Sequence, residues 1–568
     1  MRRPLAAVYI FPFALFHCYS VCIHHMTARS EKKTRVVETV HRLRYQLPHM
    51  SQSALVATIR ELSATPIDAE TLYARDIRAQ RRDVAFQSTP YGPLHQTRAI
   101  ARATGGEHKV LFANPLAMMS VAASTSEPFC KLIEQTLERH PCTPESPWRF
   151  CIYADEITPG NALSYLNHRK VWSIYYSFLD FGCAALSSEW CWFTATVIRS
   201  TIVQKSLGGL SAFVGEFLRL MFCTDHCVAT GGFSLHLTNG RVVRIFCRLA
   251  CMVSDEAALK AFWQCKGAGG LKSCMLCANC VDHTGRTANG VSLLDFDASG
   301  RLVPGSCSDI RQFVSHTRTS VMVVLEHLNH THSASSKTIL EKQEKLHGWL
   351  VPTHNLLMTA DIGPLLDPTT QTCFDWVHCY LVHSLFNKQT YELLEAIAPQ
   401  VTRVDVDGYM QLWHWPKRLE GRSVTGKQAF GGKRSANSKV AKTFNASASE
   451  ALSIYPVLAN FLRRHCLPAF HLAGAAIAIQ HCEAFFALCL VLDLLMHVHD
   501  DNVTPDLLEQ IIAIHANAFL ALLGPIACIP KYHFALHLAG FLKKFGYLPN
   551  CLVHERKHKL VKRFIEDT

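Results

Sequence analysis

The sequence has no internal repeat, no low-complexity tract and no clean apolar run of about 20 residues, the length that spans a membrane. Charged residues make up only 18% and hydrophobic residues 49%, which excludes a disordered or collagen-like chain. The most apolar late stretch, 484–496, contains Asp493, so we predict a buried helix there and no stable membrane span. The 23 cysteines are odd in number and form no repeated disulfide framework, which favours a reduced compartment with free thiols.

The charge balance and the N-terminus favour different locations for the protein. There are 57 Lys and Arg against 45 Asp and Glu, and this surplus of +12 favours an acidic partner such as nucleic acid or an anionic membrane. The basic segment 27–110 contains no Cys2His2 spacing and no obvious helix-turn-helix signature. Arg2 and Arg3 precede an apolar run, as in a signal peptide, but Pro12 interrupts it and no clean cleavage site follows. Secretion therefore stays an alternative.

Two aspartates stand at the ends of predicted strands. Asp155 follows a short apolar strand at 149–154. Asp255 follows a predicted hairpin, in which a strand at 233–237 and one long strand at 241–253 are joined by the turn Asn239-Gly240. Carboxylates at neighbouring strand ends can jointly hold Mg²⁺ or Mn²⁺, and two such ions support phosphodiester chemistry. The alternative is that both residues only form turns or cap helices. The other elements predicted in this region are strands at 171–179 and 190–198 and helices at 210–222 and 256–263.

A cysteine-rich segment follows the second aspartate. A zinc ion bound in a tetrahedron of thiolates and imidazole is the chemistry that this spacing indicates. The predicted ligands are Cys274, Cys277, Cys280 and His283. Four ligands within ten residues would be cramped, so one ligand from elsewhere is an alternative, with Cys265, Cys307 and His316 as candidates. Buried free cysteines are the other interpretation.

The C-terminus contains a short metallopeptidase-like motif. His554, Glu555 and His558 form a literal HExxH, in which two imidazoles on one helix face would bind zinc and the glutamate would act as the base. The helix that carries such a motif is usually buried, so the two middle positions are usually uncharged. Here those positions are the charged residues Arg556 and Lys557. A zinc metallopeptidase is therefore kept only as an alternative.

Taken in order, these motifs resemble the DDE/D transposases with an RNase H-like core, nearest to the CACTA (En/Spm-like) and Kyakuja–Dileera–Zisupton groups. The resemblance covers roughly residues 148–565. The motifs that carry it are Asp155, Asp255 with Glu256-Ala257, the CxxC at Cys274, Asp375-Trp-Val-His378, and His533…His537-Leu538…Gly546…Glu555-Arg556. It implies an α/β fold whose RNase H-like mixed sheet is interrupted by a large, mostly helical insertion. It also implies a catalytic triad of Asp155, Asp255 and Glu555 holding Mg²⁺ or Mn²⁺, with Glu450 and Glu483 as rivals for the third position.

The same resemblance predicts a nuclear transposase that cleaves DNA and transfers strands, with structural zinc and homo-oligomers as a further expectation. A domesticated or inactive descendant that only binds DNA is the second hypothesis. The residues expected to contact DNA lie in a basic linker and are Lys417, Arg418, Arg422, Lys427, Lys433, Arg434, Lys439 and Lys442. The expected units are a basic N-terminal region at 1–110, partly disordered, the first part of the core at 111–265, a zinc-binding insertion at 266–310, a helical insertion at 311–530 with the linker at 416–442, and a C-terminal helix at 531–568 that completes the core.

Overall fold

The computed structural model describes residues 83, 88–158, 169–225, 227–286, 292, 301–415, 430–499 and 502–566. These residues form a mixed α/β structure in which helices surround a five-stranded mixed sheet, so the predicted α/β class is confirmed. The strands are β1 (Ser88–Thr89), β2 (Gly92–Pro93), β3 (His95–Ala101), β4 (Glu107–Ala113), β5 (Trp148–Ile157), β6 (Val171–Phe178), β7 (Phe193–Arg199), β8 (Phe233–His236), β9 (Val242–Ile245), β10 (Cys247–Ser254), β11 (Cys280–Val281), β12 (Val303–Pro304) and β13 (Thr372–Phe374).

The large sheet has the spatial order β13-β10-β5-β6-β7, with β5 in the middle. Strands β6 and β7 continue antiparallel from β5 on one side, whereas β10 and β13 run parallel to β5 on the other. Because parallel strands end at the same edge, the residues after β5, β10 and β13 meet at one edge of the sheet. Ligands of open α/β sheets typically bind at this carboxyl edge, where the chain switches from one side to the other.

The predicted hairpin is present but shorter than the sequence suggested. Strands β8 and β9 pair antiparallel around a loop at 238–240, across which the amide of Leu237 donates to the carbonyl of Arg241, and Gly240 has a φ of +82°, as a three-residue hairpin loop with a final glycine requires. The single long strand predicted after the turn is wrong, because the chain leaves the hairpin at Phe246. The carbonyl of Phe246 accepts a hydrogen bond of 2.9 Å from the amide of Trp148, and β10 then joins the large sheet beside β5.

The helices follow capping and turn signals in the sequence. Asp255 caps the helix Glu256–Trp263, and Thr504 caps the helix Pro505–Leu523, in which Pro505 occupies the first turn. The helices are α1 (Pro115–Thr125), α2 (Glu127–Arg139), α3 (Cys183–Leu186), α4 (Ser200–Lys205), α5 (Leu210–Phe222), α6 (Glu256–Trp263), α7 (Arg318–Ala334), α8 (Lys337–His347), α9 (Pro368–Gln371), α10 (Trp376–Tyr380), α11 (Leu385–Ile397), α12 (Arg403–Leu412), α13 (Gly432–Ala441), α14 (Ala448–Phe461), α15 (Leu467–Leu472), α16 (Ala476–Met496), α17 (Pro505–Leu523), α18 (Pro530–Leu536), α19 (Leu538–Phe545) and α20 (Leu552–Glu566). Most of the chain after residue 310 is helical, as expected.

Helices cover both faces of the sheet. Side chains alternate along a strand, so Phe150 of β5 points to one face, where it contacts Phe217 of α5 at 6.0 Å between ring centroids. Tyr153 points to the other face, where its ring stacks on His554 of α20 at 3.6 Å. The C-terminal helix therefore lies on the same face of β5 as Asp155.

Two helices of the described residues, α16 and α17, are long and apolar enough to cross a membrane by length and composition alone. They pack against each other, and 44% of the apolar window of α16 is buried inside the molecule, against 28% for α17. A buried core helix of a soluble protein has the same features, so these helices are weak evidence for a span. The absence of a membrane span stays a prediction.

Candidate metal centres

Three aspartates lie at the carboxyl edge of the sheet. Asp155 is near the end of β5, Asp255 follows β10 directly, and Asp375 follows β13 directly. Strands β5 and β10 pair in parallel, with Tyr153 beside Val253, so their terminal acids leave the sheet side by side. A hydrogen bond to the backbone also fixes the side chain of Asp255, because its Oδ1 accepts from the amide of Ala258 at 2.8 Å.

The C-terminal helix α20 brings a fourth carboxylate to this edge. An oxygen of Asp155, an oxygen of Glu555 and a nitrogen of His558 all lie within 4.8 Å of one another, a spacing that could hold a metal ion. Glu555 and His558 are three residues apart and therefore neighbours on one face of the helix. The structure thus brings the sequence-predicted Asp155 and Glu555 together across 400 residues. Asp255 is not a member of this group among the described residues, although its charge acts on Asp155.

The neighbouring acids of this cluster perturb the pKa of Asp155. Burial, together with the nearby charges of Asp255 and Glu555, raises the pKa of Asp155 to about 7, while His378 opposes the rise. The side chain of Asp155 is 17% exposed, and its Oδ2 accepts a 3.3 Å hydrogen bond from the hydroxyl of Tyr153. Negative charge is therefore concentrated around the largely buried Asp155, whereas the side chain of Glu555 is 52% exposed, and this concentration of charge favours a bound cation.

Asp375 and His378 form a buried pair beside the cluster. Nδ1 of His378 lies 2.5 Å from Oδ2 of Asp375, whose other oxygen caps α10. Burial lowers the pKa of His378, but the hydrogen bond and charge of Asp375, together with Asp255 and Asp155, raise it to about 9. The imidazolium therefore offsets part of the negative charge at this edge. Asp375, His378 and Cys551 also approach closely enough to form a metal-sized group.

A second centre lies away from the sheet edge and consists of two cysteines and two histidines. Sγ of Cys274 and Sγ of Cys277 each lie 3.5 Å from Nε2 of His537, which is 3.1 Å from Nε2 of His533. A tetrahedral Zn²⁺ with bonds of about 2.3 Å to sulfur and 2.0 Å to nitrogen separates S from N by about 3.5 Å and N from N by about 3.3 Å. The four side chains therefore match the edges of such a tetrahedron. This buried Cys2His2 group could hold zinc.

The environment of the group also suits a metal. Burial acts to raise the pKa of the Cys274 thiol, but its contact with Cys277 and the nearby imidazoles hold that pKa well below its usual value. Thiolate is the form of cysteine that binds zinc. Nδ1 of His533 is buried and has no hydrogen-bond partner among the described residues.

The structure brings only half of the ligand set predicted from the sequence into this group. Cys280 is buried with its Sγ 3.9 Å from the hydroxyl of Ser273, and Nδ1 of His283 lies 3.1 Å from the carboxylate of Asp282. Neither residue belongs to the Cys2His2 group. Strand β11 begins at Cys280, so the chain turns away from the group three residues after Cys277. The alternatives Cys265, Cys307 and His316 are not members either; Nδ1 of His316 bonds the hydroxyl of Ser320 at 2.9 Å.

The two histidines of the group were noticed in the sequence only as part of the transposase-like pattern. Their i, i+4 spacing was the available signal, since it places two imidazoles on one side of a helical turn. His533 lies in α18, 256 residues beyond Cys277, and His537 directly follows α18. No spacing rule in the sequence connects positions so far apart.

The rival third acids and the HExxH motif can also be placed. Glu450 forms an ion pair with Arg434 at 2.6 Å, and Glu483 is exposed on α16, so neither joins Asp155 in a metal-sized group among the described residues. His554 is stacked on Tyr153 and lies 4.2 Å from the ring of Trp192. His554 therefore does not share a metal-sized group with His558 in the part of the chain that the structure describes.

The expected DNA-contacting residues are placed only in part. Lys417, Arg418, Arg422 and Lys427 lie outside the described residues, as does the side chain of Lys433. Arg434 is held by Glu450 within the fold, and its contact with phosphate stays a prediction. Lys439 in α13 and Lys442 at its end are exposed, and α13 occupies a segment that was expected to be a linker.

No protein-family model and no curated protein matches the chain.

Proposed function

We propose that this chain is a transposase-like protein with an RNase H-like core, which cleaves DNA and transfers strands by two-metal-ion chemistry. The observation that carries the proposal is the approach of Asp155 and Glu555 at the carboxyl edge of the sheet, together with the charge of Asp255, which acts with burial to raise the pKa of Asp155. A mixed sheet with acids after neighbouring parallel strands and a late helix that supplies another acid is what such a core requires.

The proposed roles follow from the chemistry of divalent cations. Mg²⁺ or Mn²⁺ prefers carboxylate oxygens, and two such ions about 4 Å apart can activate a water or a 3′-hydroxyl and stabilise the leaving oxygen. Asp155 would contact both ions, because it approaches Glu555 closely and its pKa is also raised by the charge of Asp255. Zinc in the Cys2His2 group would be structural, since all four of its positions are protein ligands.

DNA is the proposed partner, and the nucleus is the location that this function implies. The net charge of +12 supplies attraction to phosphates, and the basic segment 416–442 is the expected contact region. Homo-oligomers stay part of the proposal. Each copy has one active site, so simultaneous cleavage at two DNA ends needs two copies.

Cleavage of supercoiled plasmid by the full-length, zinc-loaded chain in Mg²⁺ or Mn²⁺ tests the proposal. A catalytic cation contributes several kcal/mol, so Asp155→Asn, Asp255→Asn and Glu555→Gln should each lower the rate by at least about 100-fold. Asn caps helices as well as Asp, so Asp255→Asn removes the charge while keeping the start of α6.

The matched control is Glu156→Gln. Glu156 is the next residue on β5, points to the opposite face and pairs with Lys170 at 3.1 Å, so its loss should leave cleavage nearly unchanged. Salt-sensitive DNA binding with no cleavage by the wild type would instead support a non-catalytic DNA-binding protein of transposase origin. Peptide hydrolysis that survives Asp255→Asn but not His558→Ala would support the metallopeptidase, against which the stacking of His554 already weighs.

A further inference from the structure

His558 is a nitrogen donor that reaches the acid cluster from α20. Its side chain is 3% exposed, and Nδ1 lies 3.9 Å from Oδ2 of Asp155 and 3.9 Å from Oε2 of Glu555. These distances are too long for hydrogen bonds. Two ligand atoms about 2.1 Å from one octahedral cation are between roughly 3.0 and 4.2 Å apart, so a single ion fits between Nδ1 and each carboxylate.

A purely structural role does not explain this imidazole. Nε2 is buried without a hydrogen-bond partner among the described residues, so that nitrogen stabilises no neighbour. The ring lies 5.7 Å from that of Tyr175, a contact that a phenylalanine would make equally well without burying a polar nitrogen. Among the described residues, the acidic groups paired with His558 are Asp155 and Glu555, so its polar edge faces the cluster.

We infer that His558 is a direct nitrogen ligand of one divalent cation, which it shares with Asp155 and Glu555. The inference rests on the proposed two-cation site. It adds a nitrogen ligand, which determines which divalent cation the site prefers. A glutamate and a histidine three residues apart on one helix, both directed at a metal, form the ligand pair that carboxylate-bridged metal sites use. An imidazole ligand weakens the preference for Mg²⁺ and favours first-row transition ions, of which Mn²⁺ also accepts carboxylate oxygens.

The same geometry accounts for the HExxH pattern. Within it, Glu555 and His558 face the sheet edge and its acids, whereas His554 packs against Tyr153. Only the second half of the motif therefore binds metal, and the ligand set is two oxygens and one nitrogen instead of the two nitrogens of a metallopeptidase.

Binding of Mn²⁺ to the full-length chain, without DNA, tests the inference. One equivalent of Zn²⁺ first fills the Cys2His2 group, so that His533 and His537 are not available to Mn²⁺. Electron paramagnetic resonance then gives the Kd for Mn²⁺ and detects couplings to the nitrogen of a bound imidazole. We expect this coupling in the wild type, its loss in His558→Ala and His558→Phe, and a Kd for Mn²⁺ raised by at least roughly tenfold.

His558→Phe keeps the ring packed on Tyr175, so it separates lost ligation from lost folding. His471→Ala is the matched control, because His471 is an exposed histidine on α15. The Kd for Mg²⁺, measured by competition, should change much less than the Kd for Mn²⁺ in both His558 variants.

The outcomes separate this inference from the proposed function. Mn²⁺ that binds in dependence on Asp155 and Glu555, without nitrogen coupling and with an unchanged Kd in His558→Phe, overturns the inference and leaves the two-cation proposal intact. Nitrogen-coupled Mn²⁺ in a chain that never cleaves DNA supports the inference and contradicts the nuclease activity. A chain that binds no Mn²⁺ at this site overturns both.

Discussion

At the scale of single residues, the charge of Asp155 is the most sensitive feature of the sheet edge. Burial raises its pKa from an ordinary 3.8 to about 7, so the folded chain holds this proton more tightly than the unfolded chain does. The resulting stabilisation is complete below about pH 4 and is lost as the pH rises through 7. With no added divalent cation, Asp155→Asn should therefore raise the unfolding free energy at pH 8 by about 2–4 kcal/mol.

Unfolding midpoints at pH 4.5 and pH 8 check this expectation, since protonated Asp and Asn are close in shape and charge. The gain from Asp155→Asn should be large at the higher pH and small at the lower. Glu156→Gln on the opposite face of β5 should give no such difference. An equal effect of Asp155→Asn at both pH values would show that its carboxylate is not strained by its neighbours.

The buried pair of Asp375 and His378 supplies a second expectation at this scale. Acidic neighbours raise the pKa of His378 to about 9 against the effect of burial, and the stability that this provides is lost as the pH rises from 6.5 through 9. Asp375→Asn keeps an amide oxygen to cap α10 but removes the charge and the strong hydrogen bond. A proton NMR titration of His378 should then show a pKa well below 9, and an unchanged pKa would assign the shift to Asp155 and Asp255 alone.

At the scale of elements, local signals in the sequence predicted much of the sheet and its flanking helices. Helices α5 and α6 match their predicted bounds, because apolar spacing and the Asp255 cap are both local. The split of the predicted long strand into β9 and β10 was not predictable in this way. It depends on the hydrogen bond between Phe246 and Trp148, which are almost 100 residues apart.

The zinc ligands show the same limit, and they give an expectation that distinguishes the predicted set from the observed one. Cys277→Ser and His537→Gln should each lower zinc content well below one per chain and lower the unfolding midpoint, because the metal joins the segment after α6 to the start of α19. Cys280→Ser is the matched control, since it removes a buried cysteine three residues from Cys277.

Elemental analysis of the purified chains, with the unfolding midpoint measured in parallel, decides between the two sets. Full zinc content in Cys280→Ser together with its loss in His537→Gln supports the Cys2His2 group. The reverse pattern would restore the ligands expected from the sequence alone, Cys280 and His283.

At the scale of the whole molecule, the sheet edge is assembled from segments that the sequence keeps far apart. Asp255 and Glu555 are 300 residues apart, and most of the helices lie between them. Motif order suggested that these acids belong together, but no periodicity or spacing could place α20 on the face of β5 that carries Asp155. The stacking of His554 on Tyr153 and the hydrogen bond from Arg149 to the carbonyl of Phe545 fix this C-terminal segment on the sheet.

The surplus of positive charge is also a property of the whole molecule, and the exposed lysines at α13 allow its role to be measured. DNA affinity should fall steeply with salt, and Lys439→Ala and Lys442→Ala should each reduce the slope of log affinity against log salt by about one without changing stability. Arg434→Ala should instead leave the slope unchanged and destabilise the fold by about 1–3 kcal/mol, because it removes the cation that neutralises the buried carboxylate of Glu450, which keeps its hydrogen bonds from Ser447. Salt titrations of binding to one duplex, with unfolding midpoints measured alongside, separate these effects. A slope that responds to Arg434→Ala but not to the two lysines would mean that DNA contacts the Arg434 side of α13 after the ion pair with Glu450 has opened.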